Sequence, residues 1–270
     1  MFYYFGYGSN MDLTSLRAKG VVPLSSQRCA LPGWKLVFNV HHWFRHEGGV
    51  GNIVPSQEAG ARVLGVLHQC EDGHMALLDA AEAYGYGYTR VDVPVVVDAE
   101  ESAPDGSKTI SAVAYVGIPS YLDDSCLPTQ RYLNILLSGA TNAKLDSAYI
   151  EELRLHPIHR NAPYPPFVHP LADPPTFTAE SLSRHPLYTA VGGAVFDMSN
   201  ARWEHEYLKG FFGGRDTTLF HLKRLDSSDG TETVDDVKHD RLNANQRRYL
   251  NEYQNEYASE YEYVGRFLYE

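Results

Sequence analysis

A chain of 270 residues with 43% hydrophobic and 21% charged residues can form a core, which excludes wholesale disorder and a fibrous repeat. The net charge of −11 argues against a nucleic-acid partner, because proteins that bind phosphate backbones present basic faces. No apolar run approaches the roughly 20 residues that span a bilayer, and the first residues do not resemble a signal peptide. Three cysteines without CxxC spacing indicate reduced thiols, so we expect a cytoplasmic protein without a metal site or a membrane partner.

Hydrophobic periodicity predicts an α+β domain over residues 1–157. Alternation of apolar and polar residues, or a short aromatic or β-branched run, predicts strands over residues 2–5, 34–40, 62–68, 90–97 and 110–116. Apolar residues spaced by three and four predict helices over residues 74–83, 129–138 and 146–155. We therefore expect a small mixed or closed β-sheet flanked by helices.

The second half of the chain has a different composition. Seven prolines between positions 157 and 175 predict an extended strap over residues 158–175, because proline disfavours helix. Residues 176–270 form a C-terminal extension with a strand-like segment at 190–196 and a closing helix over residues 243–261. That helix carries tyrosines at 249, 253, 257 and 261, a stripe that we expect to be buried. We expect the strap and the extension to pack on the first domain rather than to form an independent module.

The most informative segment is the loop after the first strand, Phe-Gly-Tyr-Gly-Ser-Asn-Met at positions 5–11. Gly6 and Gly8 permit backbone geometry that a Cβ atom would forbid. Ser9 or Asn10 can cap the turn that follows. We therefore expect a strand end whose backbone N–H groups converge at a helix start, where they bind a carboxylate or an oxyanion. A dinucleotide fingerprint is rejected, because its third glycine and its acidic residue are missing.

Five further segments follow this loop in the chain: residues 78–83, which include Glu82, and residues 88–93, 112–116, 128–140 and 149–153. With the Tyr7–Asn10 loop they resemble the γ-glutamylcyclotransferase family, over roughly residues 1–157. Two details differ from that family. Ala83 stands where family members often have glycine, and Tyr84, Tyr86 and Tyr88 compete for one family position.

The resemblance implies a catalytic domain over residues 1–157 that releases 5-oxoproline from a γ-glutamyl amide, as a lyase or acyltransferase. It implies Glu82 as the catalytic acid and base. It implies a substrate-binding set made of Tyr7, Gly8, Ser9, Asn10, Tyr132 and one of Tyr86 or Tyr88, of which we choose Tyr88. No metal or organic cofactor is expected, since the reaction has no redox step.

Three substrates are compatible with this reaction. The partner is a small γ-glutamyl molecule: glutathione, a γ-glutamyl amino acid or amine, or a glutathione conjugate. Length and C-terminal extension resemble the gliotoxin-pathway γ-glutamyl cyclotransferases of fungi, which implies a conjugate of a secondary metabolite of the epidithiodiketopiperazine type. A different class also remains open: a non-catalytic module that binds an acidic small ligand or peptide on the same loop.

Overall fold

The structure is a computed structural model that describes residues 1–98 and 107–270. The described residues form two compact units. The first consists of Met1–His42 and Glu47–Arg160, and the second of Trp43–His46 and Asn161–Glu270. Each unit has hydrophobic clusters of its own. Among the helices of the described residues, none is long and apolar enough to cross a membrane.

The described part of the first unit contains seven strands and four helices. In chain order they are β1 (Phe2–Gly6), α1 (Leu13–Ala18), β2 (Ser25–Pro32), β3 (Trp34–His41), β4 (Gly49–Pro55), β5 (Arg62–Cys70), α2 (His74–Ala81), β6 (Tyr88–Asp98), β7 (Ser107–Gly117), α3 (Gln130–Asn142) and α4 (Ser147–Arg154). Five strands close a barrel in the order β1-β5-β2-β6-β7, and β3 pairs with β4 as a separate hairpin. The predicted α+β class with a closed sheet flanked by helices is confirmed.

The interior of the barrel follows from the two-residue period of its strands. On β6, Val93, Val95 and Val97 are buried in one hydrophobic cluster, while the residues between them are not part of it. The facing strands contribute Phe5 and Leu67 to the same cluster. β-Branched and aromatic residues fit this pleated, half-buried surface, which is why these segments were recognisable in the sequence.

The structure differs from the prediction at two missed strands of the first unit and at one strand of the second. Strands β2 and β4 had not been predicted, because exposed residues in β2 and three glycines or prolines in β4 hide their alternation. The single strand expected at residues 190–196 is two strands, β9 (Tyr188–Val191) and β10 (Ala194–Asp197). Gly192 and Gly193 form the turn between them with φ of 56° and 83°, the left-handed region that suits a two-residue hairpin.

The second unit is built around a five-stranded sheet. Its further elements are β8 (Thr176–Phe177), α5 (Ala179–Ser183), α6 (Glu206–Phe212), β11 (Arg215–Asp216), α7 (Thr218–Leu222), α8 (Val234–Lys238), α9 (Ala244–Glu260) and β12 (Glu262–Phe267). The strand order is β11-β9-β10-β12-β8. Helix α9 begins after Asn243, whose side chain accepts from the Gln246 N–H in a capping box.

The tyrosine stripe of α9 is buried, as predicted. Its four tyrosines all belong to the largest hydrophobic cluster of the second unit. The proline-rich segment lies along the same helix: the Phe167 N–H donates to Asn251 Oδ1 at 2.7 Å, and Asn251 Nδ2 donates to the Pro165 carbonyl at 3.0 Å. The packing of residues 176–270 on the first domain stays a prediction.

Candidate active site

The loop after β1 is shaped by close contacts at its two glycines. A Cβ atom on Gly6 would lie 2.9 Å from the Asn10 carbonyl oxygen, and one on Gly8 would lie 2.9 Å from the Tyr132 hydroxyl. Neither glycine has a positive φ. Glycine is therefore required at positions 6 and 8 because the Asn10 carbonyl and the Tyr132 hydroxyl approach the backbone closely, and not because the backbone is left-handed.

The cap of the first helix differs from the prediction. Asp12, not Ser9 or Asn10, caps α1 and accepts from the Ser15 N–H at 3.0 Å. The N–H groups of Met11 and Asp12 bond to carbonyl groups of the loop itself, and the Ser9 N–H bonds to the Tyr132 hydroxyl. These three donors are thus used within the protein, so a nest of converging N–H groups does not form from them.

Glu82 lies immediately after α2, as the capping residue at its C-terminus. Its side chain is 17% exposed, and Oε1 accepts from Asn10 Nδ2 at 2.9 Å and lies 3.2 Å from Lys19 Nζ. The next residue, Ala83, is buried with φ of 48°, a conformation that favours glycine. The chain therefore turns away from the helix directly after Glu82 and leaves its carboxylate at the N-terminal loop.

Asn10 connects three polar side chains. Its Nδ2 atom donates to the Tyr4 hydroxyl at 2.6 Å and to Glu82, and its Oδ1 atom accepts from Lys19. A primary amide has two N–H donors, and both are used here. The amide is therefore fixed in place, and it fixes the position of the Glu82 carboxylate in turn.

Two tyrosines converge on the backbone of Gly51 in β4. The Gly51 N–H donates to the Tyr132 hydroxyl at 3.0 Å, and the Tyr88 hydroxyl donates to the Gly51 carbonyl at 2.8 Å. Tyr84 and Tyr86 are 40% and 47% exposed, so Tyr88 is the one of the three that is directed into this cluster. The hydroxyl of Tyr7 donates to the Tyr115 carbonyl. The predicted residues of the loop, α2, β6 and α3 thus lie together.

A family model described as γ-glutamyl cyclotransferase, AIG2-like, matches residues 4–134. The matched residues include the loop, Glu82, Tyr88 and Tyr132. Residues 4–134 are therefore similar to that family. The gliotoxin-pathway subtype stays a prediction. No curated protein matches the chain.

Several solved structures are similar to part of this chain. An uncharacterized protein from Homo sapiens is 24% identical, with a TM-score of 0.49 over 60% of this chain and 90% of that one. A structure named γ-glutamyl cyclotransferase is 23% identical, with a TM-score of 0.49 over 59% and 90%. A yeast γ-glutamyl cyclotransferase specific to glutathione is 14% identical, with a TM-score of 0.36 over 59% and 89%.

The buried tyrosines around Glu82 stay protonated at neutral pH. Burial, with a smaller contribution from the nearby Glu82 charge, raises the pKa values of Tyr4, Tyr7 and Tyr88 well above their ordinary value. Burial also raises the pKa of Tyr132 to about 12, although the N–H bond from Gly51 opposes this. These hydroxyls can donate hydrogen bonds, but they cannot serve as bases near neutral pH.

His68 on β5 contacts the backbone of the loop at Asn10. Its Nε2 atom lies 2.9 Å from the Asn10 carbonyl and its Nδ1 atom 2.8 Å from the Ser26 hydroxyl. A carbonyl only accepts, so we assign the proton to Nε2 and let Nδ1 accept from Ser26. Burial lowers the pKa of His68 to about 4, and the bond to Asn10 only partly opposes it. The ring is therefore neutral at physiological pH.

This histidine makes stability depend on pH. Between pH 6.5 and 4 the unfolded chain binds a proton at this position that the folded protein does not, so stability falls as the pH falls. We expect the native protein to lose about 2 kcal/mol more than His68→Gln between pH 7 and pH 5. Urea unfolding of both proteins at the two pH values measures this difference, in which other titrating groups cancel. Equal losses would contradict the assignment.

Sequence reasoning missed three members of this cluster: Tyr4, Lys19 and His68. The alternation of β1 could have placed Tyr4 and Gly6 on one face, and the facing strand could have supplied His68. Lys19 has no such signal, because it is a single lysine after a short helix. Its role depends on a contact with a residue 63 positions further along the chain.

Proposed function

We propose that this protein is a γ-glutamyl cyclotransferase that releases 5-oxoproline from a γ-glutamyl amide, with Glu82 as acid and base. The observation that carries the proposal is the position of the Glu82 carboxylate. It is mostly buried and is held at 2.9 Å by Asn10, a residue of the loop that the family resemblance assigns to the substrate. A carboxylate held in this way, beside hydroxyls that stay neutral, is suited to exchange protons with a bound amine.

The reaction is an intramolecular aminolysis. Glu82 takes a proton from the α-ammonium group of the γ-glutamyl substrate, and the freed amine attacks the γ-carbonyl carbon. A C–N bond forms, and a tetrahedral oxyanion develops. When that oxyanion collapses, the bond to the outgoing nitrogen breaks and Glu82 returns the proton to it. The products are 5-oxoproline and an amine, and no water is consumed. Nucleophile and electrophile belong to one molecule, so the protein mainly has to hold the substrate curled.

Tyr132 is suited to stabilise the oxygen that becomes negative. Its hydroxyl oxygen accepts N–H bonds from Gly51 and Ser9, so what remains for it to offer is its own proton. We assign that proton to the substrate carbonyl or carboxylate, with Tyr7, Gly8, Ser9 and Tyr88 forming the surrounding wall. Asn10 holds Glu82 through its side chain.

Tyr132→Phe should therefore lower kcat/KM about 10²-fold, because a donor aimed at the developing oxyanion is lost. It should also lower the melting temperature, since two buried N–H groups lose their acceptor. Steady-state kinetics of 5-oxoproline release and thermal unfolding measure the two effects.

Tyr149→Phe is the matched control for this substitution. Tyr149 packs against the hydrophobic cluster that contains Tyr132 but lies on α4, outside the proposed site. The Tyr149→Phe variant should keep the native kcat/KM. A Tyr132→Phe protein with native kinetics would show that the hydroxyl serves packing alone and would remove Tyr132 from the proposed site.

As the substrate, we propose a glutathione conjugate with a bulky apolar group, ahead of glutathione itself and γ-glutamyl amino acids. Support comes from the richness of the sequence in aromatic residues, since a large apolar group needs a broad apolar wall. The test is 5-oxoproline release, measured by mass spectrometry, from glutathione, γ-glutamyl amino acids, γ-glutamyl amines and glutathione S-conjugates.

The same panel separates an enzyme from a binding module. Product from the native protein and not from Glu82→Gln would support the enzyme and rank its substrates. Absence of product from every compound, with binding detected by calorimetry, would favour a non-catalytic module that holds an acidic ligand on the loop. A binding module has no need for a buried carboxylate at that loop.

A further inference from the structure

Lys19 is buried beside Glu82. It follows directly after α1, and only 10% of its side chain is exposed. Its Nζ atom lies 3.2 Å from Glu82 Oε1 and also donates to Asn10 Oδ1. Lysine is rarely this buried unless it is paired, because removing an ammonium group from water is unfavourable. Glu82 and Asn10 therefore help to keep Lys19 at this position.

The contacts of Glu82 are arranged unevenly over its two oxygens. Asn10 and Lys19 both reach Oε1, from two different segments of the chain. Two bonds to the same oxygen fix the rotation of the carboxylate and direct its other oxygen away from them. Oε2 is then the atom that would face a proton on the substrate.

We propose that Lys19 is a positioning residue for the reaction: it places a positive charge beside the Glu82 carboxylate and orients that carboxylate so that Oε2 accepts the proton from the substrate ammonium. The proposal rests on the function proposed above for Glu82. It assigns to Lys19 an effect on the base itself, rather than on the binding of the substrate.

The charges around Glu82 support this role. The titratable groups that face it from other elements are tyrosines: Tyr4 and Tyr7 on β1, Tyr88 on β6, Tyr115 on β7 and Tyr132 on α3. All of them stay neutral near pH 7. On the side of α2, Asp79 is hydrogen-bonded by Tyr115 and lies 3.6 Å from Arg90. Within residues 1–98 and 107–270, the cation that contacts Glu82 directly is Lys19.

The test compares Lys19→Met, which removes the charge at similar length, with Lys19→Arg, which keeps it. Loss of an adjacent cation favours the protonated carboxyl group, so the acid limb of the kcat/KM profile should move to higher pH in Lys19→Met. At pH 7 kcat should fall about 10-fold or more, with a much smaller change in KM. Lys19→Arg should keep the acid limb within about half a unit of native.

Lys35→Met is the matched control, because Lys35 pairs with Glu58 at the exposed surface. It should leave both the rate and the acid limb unchanged. An acid limb that does not move in Lys19→Met, or a change confined to KM, would overturn the proposal. If Lys19→Met does not fold, Lys19→Gln carries the same expectation, since its amide can still donate to Asn10.

A measurement without substrate separates this proposal from the proposed function. In protein labelled with ¹³C at the glutamate carboxyl carbons, the signal that disappears in Glu82→Gln belongs to Glu82. Its titration midpoint should lie at higher pH in Lys19→Met than in the native protein, and equal midpoints would overturn the role of Lys19. A native protein that releases no 5-oxoproline while this midpoint shifts would count against the proposed function alone.

Discussion

Glu82→Gln is expected to lower 5-oxoproline release about 10³-fold or more, to the limit of detection. Glutamine preserves the size of the side chain and can still accept from Asn10 Nδ2, but it can neither take a proton from the substrate ammonium nor return it to the outgoing nitrogen. General acid and base catalysis by one side chain contributes about 10²–10⁴-fold, and here one group serves both steps. Mass spectrometry of 5-oxoproline under single-turnover conditions measures the loss.

Two controls make this result specific. Glu58→Gln changes an exposed glutamate of the same unit and should keep full activity. Circular dichroism and thermal unfolding should show that Glu82→Gln remains folded, although Lys19 loses its ionised partner. A Glu82→Gln protein that retains a tenth of the native rate would remove Glu82 from the role of acid and base and would leave the reaction without a proton acceptor among the residues of this cluster.

Of the stability changes predicted for this protein, the loss caused by Gly213→Ala should be the largest. Gly213 lies in the second unit. Gly213 ends α6, and a Cβ atom there would lie 1.9 Å from the Pro186 carbonyl oxygen and 2.4 Å from that of Lys209. Both neighbours are backbone, so they cannot rotate away as a flexible side chain would. We expect the free energy of unfolding to fall by about 3 kcal/mol or more, measured by urea denaturation.

Gly210→Ala provides the opposite outcome in the same helix. Gly210 is exposed, and a Cβ atom there would meet no other atom within 4 Å. Alanine in a helix interior is more stable than glycine by about 1 kcal/mol, so this variant should be slightly stabilised. If both variants unfolded at the native denaturant concentration, the close approach of residues 186 and 213 would be wrong.

Much of the fold could be predicted because its elements carry local signals. Strand β6 was predicted correctly from the alternation of Val93, Val95 and Val97, since a two-residue period places one set of side chains inside a sheet. Helix α9 was predicted correctly from the spacing of its tyrosines and from Asn243, which caps it. Strand β4 could not be recognised in this way: Gly49, Gly51 and Pro55 interrupt it, and pairing with β3 defines it.

The position of Glu82 at a helix end and the net negative charge are local or compositional properties, so the amino-acid sequence alone was sufficient for them. The choice of Tyr88 over Tyr84 and Tyr86 required the folded chain, because it depends on which hydroxyl reaches the Gly51 carbonyl. The pairing of Lys19 with Glu82 required it as well. Such contacts join residues that are distant in sequence, and a backbone carbonyl or a single lysine carries no pattern from which its partner can be inferred.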